Sequence, residues 1–134
     1  MPGPTPEQLA SSGSEAAHQT ALFCWAALPD IKAKYPELEM MFHIPNGGTR
    51  NKIEAGHLKA QGVKPGIPDV FLPVARGAWY GFWIELKVGN NKCSGEQNEY
   101  QAKLRDQGYA TAVAYNWKDA GDYLIYYLES SKNV

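Results

Sequence analysis

No uninterrupted apolar run in this 134-residue chain approaches the ~20 residues that a helical membrane span requires. The first residues, Met1-Pro2-Gly3-Pro4-Thr5-Pro6, lack the basic-then-apolar order of a secretion signal. Cysteine is scarce, at two residues, which excludes a disulfide framework. Histidine is limited to His18, His43 and His57, without Cys-x-x-Cys or His-x-x-x-His spacing, so a structural zinc site is not expected. There is no basic surplus either: the formal net charge is −1, which argues against a protein that simply coats nucleic acid. Internal repeats are absent, and biased composition is confined to residues 1–13, read as a disordered Pro-, Gly- and Ser-rich tail. A reducing cytoplasm is the expected compartment.

What is present suffices for one core. A hydrophobic fraction of 44% for the whole chain supports a single domain, placed at residues 14–134, that needs no staples. Charge is unevenly placed. Residues 50–64 hold four bases, Arg50, Lys52, Lys59 and Lys64, against one acid, Glu54. Residues 1–30 hold Glu7, Glu15 and Asp30 with no lysine or arginine. An acidic pocket beside a basic, phosphate-holding surface gives that asymmetry; so does chance in a short chain.

Periodicity predicts the elements. Ser14 caps a helix from Glu15 to about Leu28 with an apolar stripe of Ala21, Cys24, Trp25 and Leu28, ended by Pro29 and Asp30. A short connection, helical in part, leads to a strand over Met40–Ile44, then a Pro45-Asn46-Gly47-Gly48 loop and a helix from about Asn51 to Gln61. Strands follow at Val70–Val74 and Tyr80–Val88, then a helix capped by Ser94 with Gln97 in the capping-box position. Tyr109–Tyr115 is the last strand, and Asn116 or Lys118 opens a final helix to about Leu128. The order α-β-α-β-β-α-β-α predicts an α/β fold, a mixed sheet with helices on both sides.

The chemistry concentrates between Pro68 and Lys87. Pro68-Asp69 ends a turn and opens one strand; in the next, alternation puts Phe82, Ile84, Leu86 and Val88 on one face and Trp83, Glu85 and Lys87 on the other. Glu-x-Lys on a strand is commonly only a solvated face, and Pro-Asp is commonly only turn chemistry. Together they can place two carboxylates and an ammonium at one end of an apolar sheet, where desolvation is costly unless a ligand binds. A divalent metal with a phosphate ester is the natural occupant. Glu15 and Gln19, four residues apart, project from one face of the first helix.

Pro68-Asp69 followed by Glu85-x-Lys87 resembles the PD-(D/E)xK nuclease superfamily, and the flanking words resemble its VRR-NUC family. Those words are His43-Ile44-Pro45-Asn46-Gly47-Gly48-Thr49-Arg50, Ala60-Gln61-Gly62-Val63-Lys64-Pro65-Gly66-Ile67-Pro68-Asp69, Ile84-Glu85-Leu86-Lys87 and Ser94-Gly95-Glu96-Gln97. The likeness spans roughly residues 14 to 128 and resembles the small, free-standing, phage-type members. It implies a restriction-endonuclease-like mixed four-stranded sheet flanked by helices. It also implies a Mg²⁺-dependent DNA endonuclease, with Mn²⁺ as an alternative ion, in a bacterial or phage-infected cell.

The implied roles are specific. Asp69, Glu85, the Leu86 carbonyl and Glu15 would hold metal, with Lys87 and Gln97 catalytic beside them. Glu15 reads equally as an acid favoured by the helix dipole, and Gln97 as a capping residue only. Asn46, Gly47, Thr49, Arg50 and Lys52 would hold DNA phosphate through amides and positive charge, although a plain turn looks much the same. Substrates implied are structured or branched DNA, as for a Holliday-junction resolvase acting as a homodimer. The alternatives are a flap-type nuclease and a catalytically inactive DNA-binding module. Tyr123, Tyr126 and Tyr127 exceed what one helix face buries and suit either a subunit interface or the core.

Overall fold

A computed structural model describes residues 3–45 and 52–131 of the chain. The helices are α1 (Pro6–Leu9), α2 (Glu15–Ala26), α3 (Pro29–Lys34), α4 (Lys52–Ala60), α5 (Gly95–Asp106) and α6 (Trp117–Leu128), with a 3₁₀ turn at Pro36–Met40. The strands are β1 (Phe42–His43), β2 (Val70–Leu72), β3 (Phe82–Leu86) and β4 (Ala110–Ala114).

The sheet runs β1-β2-β3-β4. The first three strands are antiparallel neighbours, and β4 lies parallel to β3. A parallel pair needs a crossover, which α5 supplies. Alternation along β3 buries Phe82, Ile84 and Leu86 against α6, where the Phe82 ring stacks on Tyr127 at 4.8 Å. Leu22, Leu72, Ile84, Leu86 and Leu124 are the largest fully buried side chains, each worth about 1.5–3 kcal/mol in burial. The opposite face of the sheet carries Trp83 and Glu85 and meets α5, through Gln97 to Glu85 on β3 and through Arg105 to Thr111 on β4. Helices thus flank a mixed four-stranded sheet on both sides, as expected of a restriction-endonuclease-like fold.

Caps fix where the helices start. Ser14 Oγ accepts from the Ala17 amide, Ser94 and Gln97 form a reciprocal capping box, and Asn116 Oδ1 accepts from Asp119. His18 adds a long-range tie: its Nδ1 accepts from the Trp117 amide at 3.1 Å, fastening α2 to the start of α6.

Four local expectations change. The segment 1–13 is not a featureless tail where described: Thr5 and Gln8 make a capping box, Pro6 takes the first helical turn, and Pro6 and Ala10 are buried. The buried stripe of α2 is Ala21, Leu22 and Ala26, whereas Leu28 is exposed because Pro29 starts α3 immediately after it. Met40 belongs to the 3₁₀ turn, so β1 shrinks to two residues. The three tyrosines of α6 divide: Tyr127 is buried and donates to the Val74 carbonyl at 2.6 Å, while Tyr123 and Tyr126 are exposed. Between β2 and β3, Arg76 is buried, bridging Glu37 and the Leu128 carbonyl.

Candidate metal and phosphodiester site

Turn, strand and helix converge at one end of the sheet. Gly66 has φ +86°, and a Cβ there would lie 2.6 Å from the Glu96 carbonyl oxygen. The turn into Asp69 therefore lies directly on the first turn of α5. The register pairs Val70 with Ile84, so one further antiparallel step brings Asp69 opposite Glu85.

Asp69 is held from two sides. Its Oδ2 accepts from the Leu86 amide at 3.0 Å, and its carbonyl oxygen accepts from the Ile44 amide at 2.7 Å. The same carbonyl lies 3.0 Å from His43 Nδ1. Glu85 is 2% exposed. Its Oε1 accepts from Gln97 Nε2 at 2.9 Å, and its Oε2 is buried with no hydrogen-bond partner. Burial, then the neighbouring Asp69 carboxylate, push the Glu85 carboxyl up to about 8, with Glu15 adding and Lys87 opposing.

Gln97 both caps α5 and reaches Glu85. Its Oε1 accepts from the Ser94 amide at 2.8 Å, completing the capping box, which turns the Nε2 end to Glu85. One amide thus ties the start of α5 to the carboxylate.

Glu15 stands in the first turn of α2 and accepts from Asn91 Nδ2 at 3.2 Å. With Ala16, Gln19, His43, Pro45, Asp69 and Leu86 it lines a cleft of about 350 Å³. Lys87, half-buried beyond the end of β3, donates its amide to the Ala114 carbonyl at 2.9 Å, and its charge acts on Glu85. Beside the carboxylates, Phe71 and Trp83 stack at 4.1 Å, one same-face step from Asp69 and Glu85.

Asp69, Glu85, Leu86, Gln97, Glu15 and Lys87 thus gather in one region. Among the described residues, no group of three or more His, Cys, Asp or Glu is arranged to hold a metal ion. The donor set nevertheless suits a hard cation. It comprises two facing carboxylates, one with an orphaned buried oxygen and kept protonated near neutrality chiefly by its burial and then by its acidic neighbour. Lys52 is exposed at the start of α4, whereas Asn46, Gly47, Gly48, Thr49 and Arg50 lie outside the described residues. His43 and Asn91 were not singled out as site residues from sequence. No spacing rule points to either: a lone histidine near a Pro-Asn-Gly turn and an asparagine in a Gly-Asn-Asn loop carry no metal signature.

A family model described as the VRR-NUC domain matches residues 8–117. A solved structure described as "VRR_NUC domain protein" is 28% identical, with a TM-score of 0.74, covering 98% of this chain and 94% of that one. A search of the curated proteins found no match.

Proposed function

The chain belongs to the VRR-NUC domain family, and we propose that it is a metal-dependent DNA endonuclease whose centre is Asp69, Glu85 and Lys87. The observation that carries this reading is the orphaned Oε2 of Glu85 beside Asp69. An uncompensated buried carboxylate oxygen destabilises a fold, and it is tolerated where a ligand completes it.

Asp69 and Glu85 would hold Mg²⁺ or Mn²⁺, with the Leu86 carbonyl as a third oxygen and Glu15 reaching it directly or through water. A divalent cation bound there would acidify water and neutralise charge on phosphate. Gln97 fixes the Glu85 carboxylate in one orientation, so the donor oxygens are arranged before substrate arrives. The Lys87 ammonium would stabilise charge developing on the phosphoryl oxygens. The stacked Phe71 and Trp83 keep the adjacent strands from shifting. Asn46, Gly47, Thr49, Arg50 and Lys52 would hold the flanking phosphates.

Branched DNA is the proposed substrate, cut in the manner of a Holliday-junction resolvase, with flaps as the second choice. Two cuts related by the junction's two-fold axis call for paired sites, which a homodimer provides. The exposed Tyr123 and Tyr126 of α6 are the apolar surface proposed for that contact. No described helix is long and apolar enough to cross a membrane. The test is cleavage of four-way junction, flap, linear duplex and a nucleotide ester, each with Mg²⁺ or EDTA. Mg²⁺-dependent nicking of the junction is expected. Binding without cutting would leave a DNA-binding module, and turnover of the ester alone would make it a small-molecule phosphohydrolase.

A further inference from the structure

Helix α4 is fully described over Lys52–Ala60 yet contributes no buried residue. Leu58 alone on it is half-buried. Ile53 is 71% exposed. The helix stands in the connection between β1 and β2, and both ends of that connection border the cleft, at Pro45 and at Asp69.

Gly56 sits in the middle of this helix without a structural reason. Its φ is not among the positive ones, and a Cβ there would meet nothing within 4 Å. Neither backbone geometry nor packing requires a glycine, although it costs roughly 1 kcal/mol against alanine in a helix interior. Helical spacing encircles it with Lys52 and Ile53 on the preceding turn and Lys59 and Ala60 on the next, on the side away from Leu58. The result is a gap flanked by two ammonium groups and an exposed isoleucine.

We propose that this face of α4 is a docking surface for a DNA strand, with the sugar–phosphate backbone passing over Gly56 between Lys52 and Lys59. The inference rests on the DNA reading above for its ligand and adds the element that seats the arm flanking the cleft. Charge complementarity selects the occupant. In a chain with a net charge of −1, the two lysines of this face, with Lys64 beyond it, are a local basic concentration within the connection whose two ends border the acidic cleft. A second protein copy fits less well, because lysine is depleted at the centre of protein interfaces. Ile53 would pack on deoxyribose or on a base unstacked at a branch, a use of apolar side chains known among proteins that deform DNA.

The test is fluorescence anisotropy of a labelled four-way junction with the full chain in EDTA, alongside thermal unfolding. Gly56→Ala and Gly56→Leu both replace glycine with a better helix former, so unfolding temperature should rise. Affinity should fall in the opposite sense, more for Leu than for Ala, reaching about tenfold for Leu, the order of one lost phosphate contact. Lys52→Gln with Lys59→Gln should reduce the log–log salt slope by about two. Wild-type affinity in Gly56→Leu overturns the proposal, as does a change in oligomeric mass with DNA affinity intact, which would assign the face to a second copy. Binding in EDTA is independent of cleavage. Loss of binding in Gly56→Leu without wild-type nicking in Mg²⁺ would sink the nuclease reading and keep this one, and the reverse pattern would do the opposite.

Discussion

Gln97 donates to Glu85 across 2.9 Å while the same amide accepts from the Ser94 backbone at 2.8 Å. The start of α5 and the most buried acid of the molecule are therefore one mechanical unit. Gln97→Glu separates the two roles. Glutamate keeps the capping box, so secondary structure and cooperative unfolding should persist. Its carboxylate cannot donate to Glu85 and places a third acid there, so cleavage should fall by about one to two orders of magnitude, as for a lost positioning hydrogen bond. Cleavage at the wild-type rate would reduce Gln97 to a cap.

The pH dependence follows from Glu85. Its folded-state carboxyl lies near 8 against an ordinary 4.5, so the folded chain binds more protons than the unfolded one between those values. This contribution to stability is fully present below about 4.5 and is lost as pH rises through about 8. Metal-free protein should thus lose stability over that window, and Glu85→Gln should abolish the loss and be the more stable form at pH 9. Metal must displace the proton, so affinity should climb by up to about tenfold per pH unit until near 8. Calorimetric titrations with Mg²⁺ and Mn²⁺ at several pH values check this, and a flat profile would contradict it.

Gly66→Ala adds a Cβ 2.6 Å from the Glu96 carbonyl oxygen at a φ of +86°. Backbone on both sides leaves little to yield, so a destabilisation of about 1–3 kcal/mol is expected. Denaturant unfolding measures it. Because the displaced neighbour is the first turn of α5, cleavage should drop further than the stability loss alone explains.

Tyr126 is 81% exposed on α6. If the homodimer forms through this helix, light scattering at micromolar concentration should give twice the chain mass, and Tyr126→Glu should give monomers. Wild-type monomers with and without junction DNA would sink the dimer and leave the nuclease centre standing.

How much of this was legible in the sequence differs by element. Capped, periodic segments were: Ser14, Ser94 and Asn116 start helices where their side chains bond the free amides. The period-two alternation of β3 placed Ile84 and Glu85 on opposite faces, as found. The approach of Asp69 to Glu85 was legible because Asp69 directly precedes β2 and Glu85 lies on β3, and their register follows from one hairpin. Elsewhere the missing information is tertiary. Nothing local says that Arg76 is buried against Glu37, that Tyr127 is inside while Tyr126 is outside, or that Leu22 replaces Leu28 in the core. Those outcomes depend on which neighbour arrives from far along the chain. The helical turn at Pro6–Leu9 is signalled only by the Thr5–Gln8 capping pair, which the Pro, Gly and Ser content around it obscures.

The central claim is that Asp69 and Glu85 hold the cation on which cleavage depends. The most direct measurement is Mg²⁺-dependent nicking of a four-way junction by Asp69→Asn, Glu85→Gln and Lys87→Ala, with Glu15→Ala beside them and unfolding monitored in parallel. The first three should lose at least about two orders of magnitude in rate with the fold retained, and Glu15→Ala should lose less. Wild-type nicking by folded Glu85→Gln or Asp69→Asn in Mg²⁺ would contradict the account.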